Sequence, residues 1–388
     1  MLGDHATGRR DMSTTSESDT VFGSGTAVLD PLPHGTADAA EFERWRTATR
    51  GQVLHELELF LEGAHVEALW EAGAGDVLSQ YVLGGKCLRS TFMYLGWLCG
   101  AEPDPAALRA AAALELLHAF ALLQDDVMDE GGLRHGAVAA HLRLSARHRE
   151  RGLPGSASRF GMSAATLLGD MCLVWAEQML RRSGVRADAL ARVWDRYDAM
   201  RIELAVGQFA DLSNDVRTAP TEQSVLAIAR AKSGNYTVRR PLELGAALAG
   251  CPDTTLRVLG AYGTRIGEAF QLRDDLLGIF GSATTTGKPE NSDLGQRKAT
   301  SVMVVALALA DTAARRELSG LLRRPALDAA ALSRCRCLIA ESGAPQHVEA
   351  MIDDRVEAAT RVLATAPLVR DRIAALGQMA LQCTARTS

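Results

Sequence analysis

The chain of 388 residues is 47% hydrophobic and 23% charged, an ordinary globular composition that excludes disorder throughout and allows two domains or one large one. Its 42 Lys and Arg against 47 Asp and Glu give a net charge of -5, so no basic footprint marks nucleic acid as a partner. Seven cysteines with no CxxC pair argue against a disulfide scaffold or a zinc ribbon, and point to reduced thiols in a cytoplasmic setting.

In chain order, residues 1–38 are rich in Ser, Thr, Gly and Asp, a composition that buries too little apolar surface to offset its ordering entropy. This predicts a disordered N-terminal tail on a single all-helical domain over residues 39–388. No apolar stretch follows the early arginines, so a secretory signal is not expected. From Ala39 the apolar residues fall into helical periodicity, as in Leu54, Leu57, Leu59 and Leu61, then Val66, Leu69 and Trp70. No alternation of β-branched residues is sustained, so strands are absent or trivial. Breaks at Gly84-Gly85, Gly100–Pro105, Gly131-Gly132, Gly152–Ser156, Gly184, Gly250–Pro252, Gly281–Pro289 and Gly343–Pro345 predict roughly ten helices. The stretch Phe160–Leu180 is interrupted by Asp170 and Glu177, and Val302–Ala310 is short. Both read as buried helices, and no membrane span is expected.

Chemistry concentrates in LELLHAFALLQDDVMDEGGLRHG, residues 114–136. Asp125 and Asp129 are spaced i, i+4 and lie one above the other on a helix face, with Asp126 beside them. Carboxylates stacked on an apolar helix are costly unless a cation sits between them, and oxygen ligands suit a hard ion such as magnesium. A solvated helix end explains the first cluster equally well until a second is found. Gln271, Asp274 and Asp275 in FQLRDDLLGIFG share a face at i, i+3 and i+4. Two such clusters opposed across a bundle would hold several magnesium ions and, through them, a diphosphate. Lys86 and Arg89 supply one cationic fork and Arg134 and His135 a second, with Lys232, Lys288 and Lys298 as further candidates. Each lysine taken singly reads as a surface residue.

The ordered series GGKCLRS, DDVMDE, LRHG, AKSGNY, FQLRDD, TGK and DLGQRK resembles the trans-polyprenyl diphosphate synthases, in their actinobacterial geranylgeranyl diphosphate synthase-like branch, from about residue 40 to the C-terminus. The resemblance implies an all-α isoprenoid synthase-type bundle around a central cavity, usually a homodimer. It also implies a trans-prenyltransferase that condenses isopentenyl diphosphate with dimethylallyl, geranyl or farnesyl diphosphate. By position, Asp125, Asp126 and Asp129 would hold magnesium at the allylic diphosphate, and Asp274 a further ion with Asp275 and Gln271 in support, three ions in all. Lys232, Lys298 and Arg134 match the cationic groups around the allylic diphosphate, with Lys288 nearby. Lys86, Arg89 and His118 match the isopentenyl diphosphate site, although His118 alone reads as a satisfied core histidine. Lys232, Ser233 and Tyr236 match an element near the reacting carbons.

The sequence departs from the family pattern in places. His135 stands where most members carry a second arginine, and near two diphosphates its protonated form would be favoured. Gly278 replaces the last aspartate of the second cluster, and Cys87 and Ser90 replace Arg and Pro in the first motif. Phe120 and Ala121, five and four residues before Asp125, stand where members of the family line the elongation tunnel. One bulky and one small side chain match the geranylgeranyl pattern, although Phe120 also reads as ordinary core with Leu117 setting the limit. Farnesyl diphosphate is the alternative product. A class I terpene cyclase of the same fold is disfavoured by low aromatic content and the missing Asn/Ser/Glu metal motif. A non-catalytic prenyl-diphosphate-binding subunit is disfavoured by the intact charged positions.

Overall fold

The segment PAALRAAAALELLHAFALLQDDVM is apolar around nearly its whole circumference, and a helix of that kind is stable only when other helices surround it. In the computed structural model, which describes residues 29–33, 38–64, 69, 73–281 and 292–385, it forms α4 (Pro105–Met128). Asp104 caps its N-terminus by accepting from the Ala106 N–H, and Pro105 takes the first turn, where no donor is lost. By length and composition α4 could cross a membrane. Among the described residues it, rather than the 160–180 stretch, is the helix that meets this test, and Leu108, Leu114, Leu116, Leu117 and Leu123 are buried by the protein itself. Each such side chain contributes roughly 1.5–3 kcal/mol by leaving water.

Around it stand α1 (Ala39–Gly63), α2 (Gly75–Leu83), α3 (Leu88–Leu98), α5 (Ala140–Glu150), α6 (Ala157–Arg181), α7 (Ala187–Ala191) and α8 (Trp194–Leu212). A 3-10 turn at Val216–Thr218 leads to α9 (Glu222–Ala229), which continues into a π-helical segment, Arg230–Arg239, and then α10 (Arg240–Leu248). The 28-residue α11 (Asp253–Phe280) follows. Next come α12 (Ser292–Gln296), α13 (Ser301–Leu309), α14 (Thr312–Leu322), α15 (Ala329–Glu341), α16 (Ala344–Ala364) and α17 (Arg370–Thr384). The one sheet among the described residues is a hairpin of β1 (Leu133–Arg134) and β2 (Ala137–Val138), joined antiparallel.

Helix α4 packs on α6, α3 on α10, and α11 on both α16 and the π segment. One apolar core gathers α1–α8, the π segment, α10, the first half of α11, the end of α16 and α17. A second gathers the C-terminal half of α11 with α13–α16. The predicted breaks coincide with helix ends, but the described residues contain more segments than roughly ten. The additional ends carry no double glycine. They are marked by N-caps, with Thr221, Asp311 and Asp328 each accepting from a backbone N–H three residues on. Within the stretch expected to be disordered, residues 29–33 pack on α1, because Leu32 is buried and the Asp30 carbonyl accepts from Trp45 Nε1. The rest of that tail, apart from Asp38, lies outside the described residues. All seven cysteines are free thiols.

Candidate active site

Asp125 and Asp126 end α4, and Asp129 is its C-cap, donating its backbone N–H to the Asp125 carbonyl at 2.8 Å. Lys232, on the π segment, donates from Nζ to Asp125 Oδ1 at 3.0 Å and to Asp211 Oδ2, on α8, at 2.7 Å. Lys298 donates to Asp129 Oδ2 and lies 3.8 Å from Asp211. Three carboxylates and two ammonium groups therefore alternate between the ends of α4, α8 and the π segment. Burial disfavours the charged form of both lysines. For Lys232 the fields of Asp125 and Asp211 outweigh it and push the pKa up, and for Lys298 those of Asp129 and Asp211 outweigh both burial and the nearby Lys232.

Asp126 and Asp275, expected beside the metal, are also engaged by protein donors. Asp126 is 1% exposed and accepts from the Tyr81 hydroxyl at 2.6 Å and from Arg134 Nε and Nη2. Arg134 Nη2 also reaches Asp125 Oδ2 at 3.2 Å, so the buried pair fixes the guanidinium beside the first cluster. Asp275 accepts from the backbone N–H of Ser301 at 2.9 Å, from the Ser301 hydroxyl, and from Gln271 Nε2 at 2.8 Å. Its carboxylate sits at the N-terminus of α13, where unpaired N–H groups favour negative charge. Lys298 and Ser301, three residues apart, thus tie Asp129 to the second cluster. Asp274 is half-buried one residue before Asp275.

The other sequence candidates divide between two places. Arg89 on α3 lays its guanidinium over the Tyr236 ring, 4.5 Å from the centroid, and donates from Nη2 to Thr237 Oγ1 at 2.9 Å. The His118 ring lies 6.3 Å from that of Tyr236. Arg89 Nε and His118 Nδ1 are buried without a hydrogen-bond partner, an arrangement that an anion would relieve. Burial, then the charges of Arg89, Arg134 and His135, push the His118 pKa well below its ordinary value. Glu115, buried on α4, accepts from the Ser90 N–H at 3.1 Å and hydroxyl at 2.8 Å, fixing the start of α3 after the Gly84-Gly85-Lys86 turn.

His135 and Gly136 both take positive φ, as a two-residue hairpin turn requires, and Gln80 Nε2 holds the Arg134 carbonyl at 3.1 Å. Partial burial and the charge of Arg134 push the His135 pKa down, so this arrangement favours the neutral ring rather than the protonated one. Ser233 is half-buried on the π segment, Lys86 is exposed, and Phe120 and Ala121 are half-buried on α4. Lys288 lies outside the described residues.

Sequence reasoning passed over Asp211, Tyr81, Glu115 and Ser301. Asp211 carried a usable signal, because Gln208 and Asp211 repeat the Gln271/Asp274 spacing of i, i+3. The π segment had none. It brings Gly234 against Gly267 of α11 so closely that a Cβ on Gly234 would stand 2.8 Å from the Gly267 backbone. π-helical turns of this kind are frequent at functional sites.

Whether the site suits a hard cation can be judged from its donors. Asp125, Asp129 and Asp211 offer only oxygen, with ammonium groups between them as counter-charges, and this chemistry fits magnesium. Among the described residues no three His, Cys, Asp or Glu side chains converge at ligand spacing, so water or a bound anion would complete the shell of an ion held there.

A family model described as polyprenyl synthetase matches residues 74–338. The chain is 33% identical over 360 residues to a geranylgeranyl diphosphate synthase of Mycobacterium tuberculosis, covering 90% of this chain and 97% of that one. It is 36% identical over 234 residues to a (2E,6E)-farnesyl diphosphate synthase of Mycobacterium bovis, covering 60% of this chain and 59% of that protein. Among solved structures, a geranylgeranyl pyrophosphate synthase of Corynebacterium glutamicum, complexed with isoprenyl diphosphate and magnesium, superposes with a TM-score of 0.82 at 32% identity. That match covers 90% of this chain and all of the other. The chain belongs to the polyprenyl synthetase family of trans-prenyltransferases.

Proposed function

We propose that the protein condenses isopentenyl diphosphate with allylic diphosphates and releases geranylgeranyl diphosphate. One observation carries this reading: a cation-seeking group and an anion-seeking group both adjoin α4. The alternating carboxylates and lysines stand at its end, and His118, with Arg89 and Tyr236, stands seven residues earlier with buried nitrogens awaiting a partner.

Asp125, Asp129 and Asp274 are the residues assigned to magnesium, in three ions, and metal bound there would neutralise charge developing on the leaving diphosphate. Lys232, Lys298 and Arg134 bind and orient that diphosphate, while Asp126 and Asp275 hold Arg134 and α13 in place. Lys86, Arg89, His118 and His135 hold isopentenyl diphosphate. As the allylic C–O bond breaks, its electron pair leaves with the diphosphate. The isopentenyl double bond then attacks the allylic carbon to form the new C–C bond, and the departing diphosphate takes the proton lost from the adjacent carbon. No protein nucleophile is needed. Ser233 and Tyr236 line the reacting carbons, where orientation and exclusion of water provide the remaining acceleration.

The pairing of Phe120 with Ala121 supports geranylgeranyl as the product, whereas identity to the Mycobacterium bovis enzyme favours farnesyl. A homodimer built on the exposed apolar face of α8, and a cytoplasmic location, complete the assignment. Purified protein is incubated with magnesium, isopentenyl diphosphate and each allylic primer in turn, and the dephosphorylated products are separated by length. Geranylgeraniol is the expected product, and Phe120→Ala should lengthen it. Farnesol alone would overturn the product assignment, and no condensation with any primer would overturn the activity.

A further inference from the structure

Helices α5 and α6 line a half-open cavity of about 550 Å³, within the roughly 300–1,000 Å³ of small-molecule sites. It is outside the constellation described above. Leu168, Met171 and Trp175 form an apolar wall, and Arg147, His148 and Arg151 supply the polar edge. Arg147 Nη2 is fixed by Asp76 Oδ2 at 2.7 Å, while Arg147 Nη1 is buried with no hydrogen-bond partner. A buried guanidinium N–H left without an acceptor is costly and marks a place where an acceptor belongs. The one carboxylate on the lining, Asp170, is engaged by Gln124 Nε2 at 3.2 Å. The surrounding stretch, residues 140–160, carries Arg143, Arg147, Arg149, Arg151 and Arg159 against the single acid Glu150, in a chain whose net charge is -5. Local positive charge over an apolar pocket selects a ligand that is anionic at one end and apolar along the rest.

We propose that this cavity binds a free amphiphile with one long apolar chain and an anionic phosphate-type headgroup, its chain against Leu168, Met171 and Trp175 and its headgroup on Arg147. Prenyl phosphates belong to this class, so the site would sense the kind of molecule that the enzyme makes; this last step rests on the proposed function, whereas the binding itself does not. His148 stacks on Phe160 at 4.8 Å and closes one side of the pocket, while Arg151 lies along the same edge.

The test uses the full chain at its own oligomeric state, in EDTA, so that binding is read without turnover. Geranylgeranyl monophosphate is titrated while the emission of Trp175 is followed, with Trp175→Phe identifying that signal. A saturable change is expected. Arg147→Gln should raise the dissociation constant at least tenfold, Arg147→Lys should restore part of it, and Ala164→Phe, which fills the cavity, should abolish the change. Circular dichroism verifies that each variant is folded. Unaltered binding in both Arg147→Gln and Ala164→Phe, or equal binding of neutral geranylgeraniol, would overturn the proposal. So would Arg147-dependent sedimentation with phosphatidylglycerol vesicles in the absence of binding to the free monophosphate. Because no step requires catalysis, failure here is separable from failure of the condensation assay.

Discussion

Asp125 and Asp129 repel each other unless positive charge is interposed, and Lys232 and Lys298 provide it in the unliganded protein. The same ammonium groups would face the diphosphate once it enters. Lys232→Ala should therefore lower kcat/KM by roughly 10²–10³, the cost of losing one preorganised charge donor, in steady-state assays at saturating magnesium. A variant turning over like the parent would remove Lys232 from the site. His118 gives a second test. Burial, then its cationic neighbours, hold its folded pKa well below the unfolded value near 6.5. Between those two values the unfolded chain binds more protons than the folded one, so stability falls as the pH drops through the window. The Tm should decline from about pH 7 to about pH 5.5, and His118→Gln should flatten that decline. An equal slope in the variant would show that other groups titrate there. Residue spacing made Asp125, Asp129, Gln271 and Asp274 legible as clusters. It could not show that Asp126 and Asp275 turn to protein donors, because Tyr81 and Ser301 reach them from 45 and 26 residues away.

At the scale of the element, the π segment decides where Lys232 and Tyr236 stand. Widening the turn shifts these side chains relative to an α-helical register, and Gly234 against Gly267 lets the segment approach α11. In Gly234→Ala the new Cβ would meet backbone at 2.8 Å, and backbone yields less readily than a flexible side chain. The expected cost is about 1–3 kcal/mol, as for other overpacking substitutions. Because the segment carries Lys232, turnover measured well below the Tm should fall as well. An unchanged Tm with full activity would mean that the two helices separate without consequence. Helix ends were legible where Gly and Pro cluster. The π turn stayed hidden, since nothing in the spacing of AKSGNY marks a wider turn, and the segment packs on α8 and α11, which are distant in sequence or follow it.

Over the whole molecule, α11 spans both apolar cores and presents the second acidic cluster, while α4 presents the first, so two long buried helices position the chemistry. Their apolar periodicity made the all-α fold readable from sequence. Which apolar residues remain uncovered was not readable, because periodicity marks a face without naming its partner. On α8, Ile202, Val206 and Phe209 are 64%, 61% and 76% exposed at i, i+4 and i+7. A patch of this extent suits a second subunit. Asp211 lies two residues from Phe209, so a dimer would also brace the helix that holds Lys232. Val206→Asp combined with Phe209→Asp should shift the mass seen by light scattering from two chains to one and reduce turnover, with helical content retained. A parent chain already monomeric at assay concentration would refute the interface. A doubly substituted chain that stays dimeric would place the interface on another face.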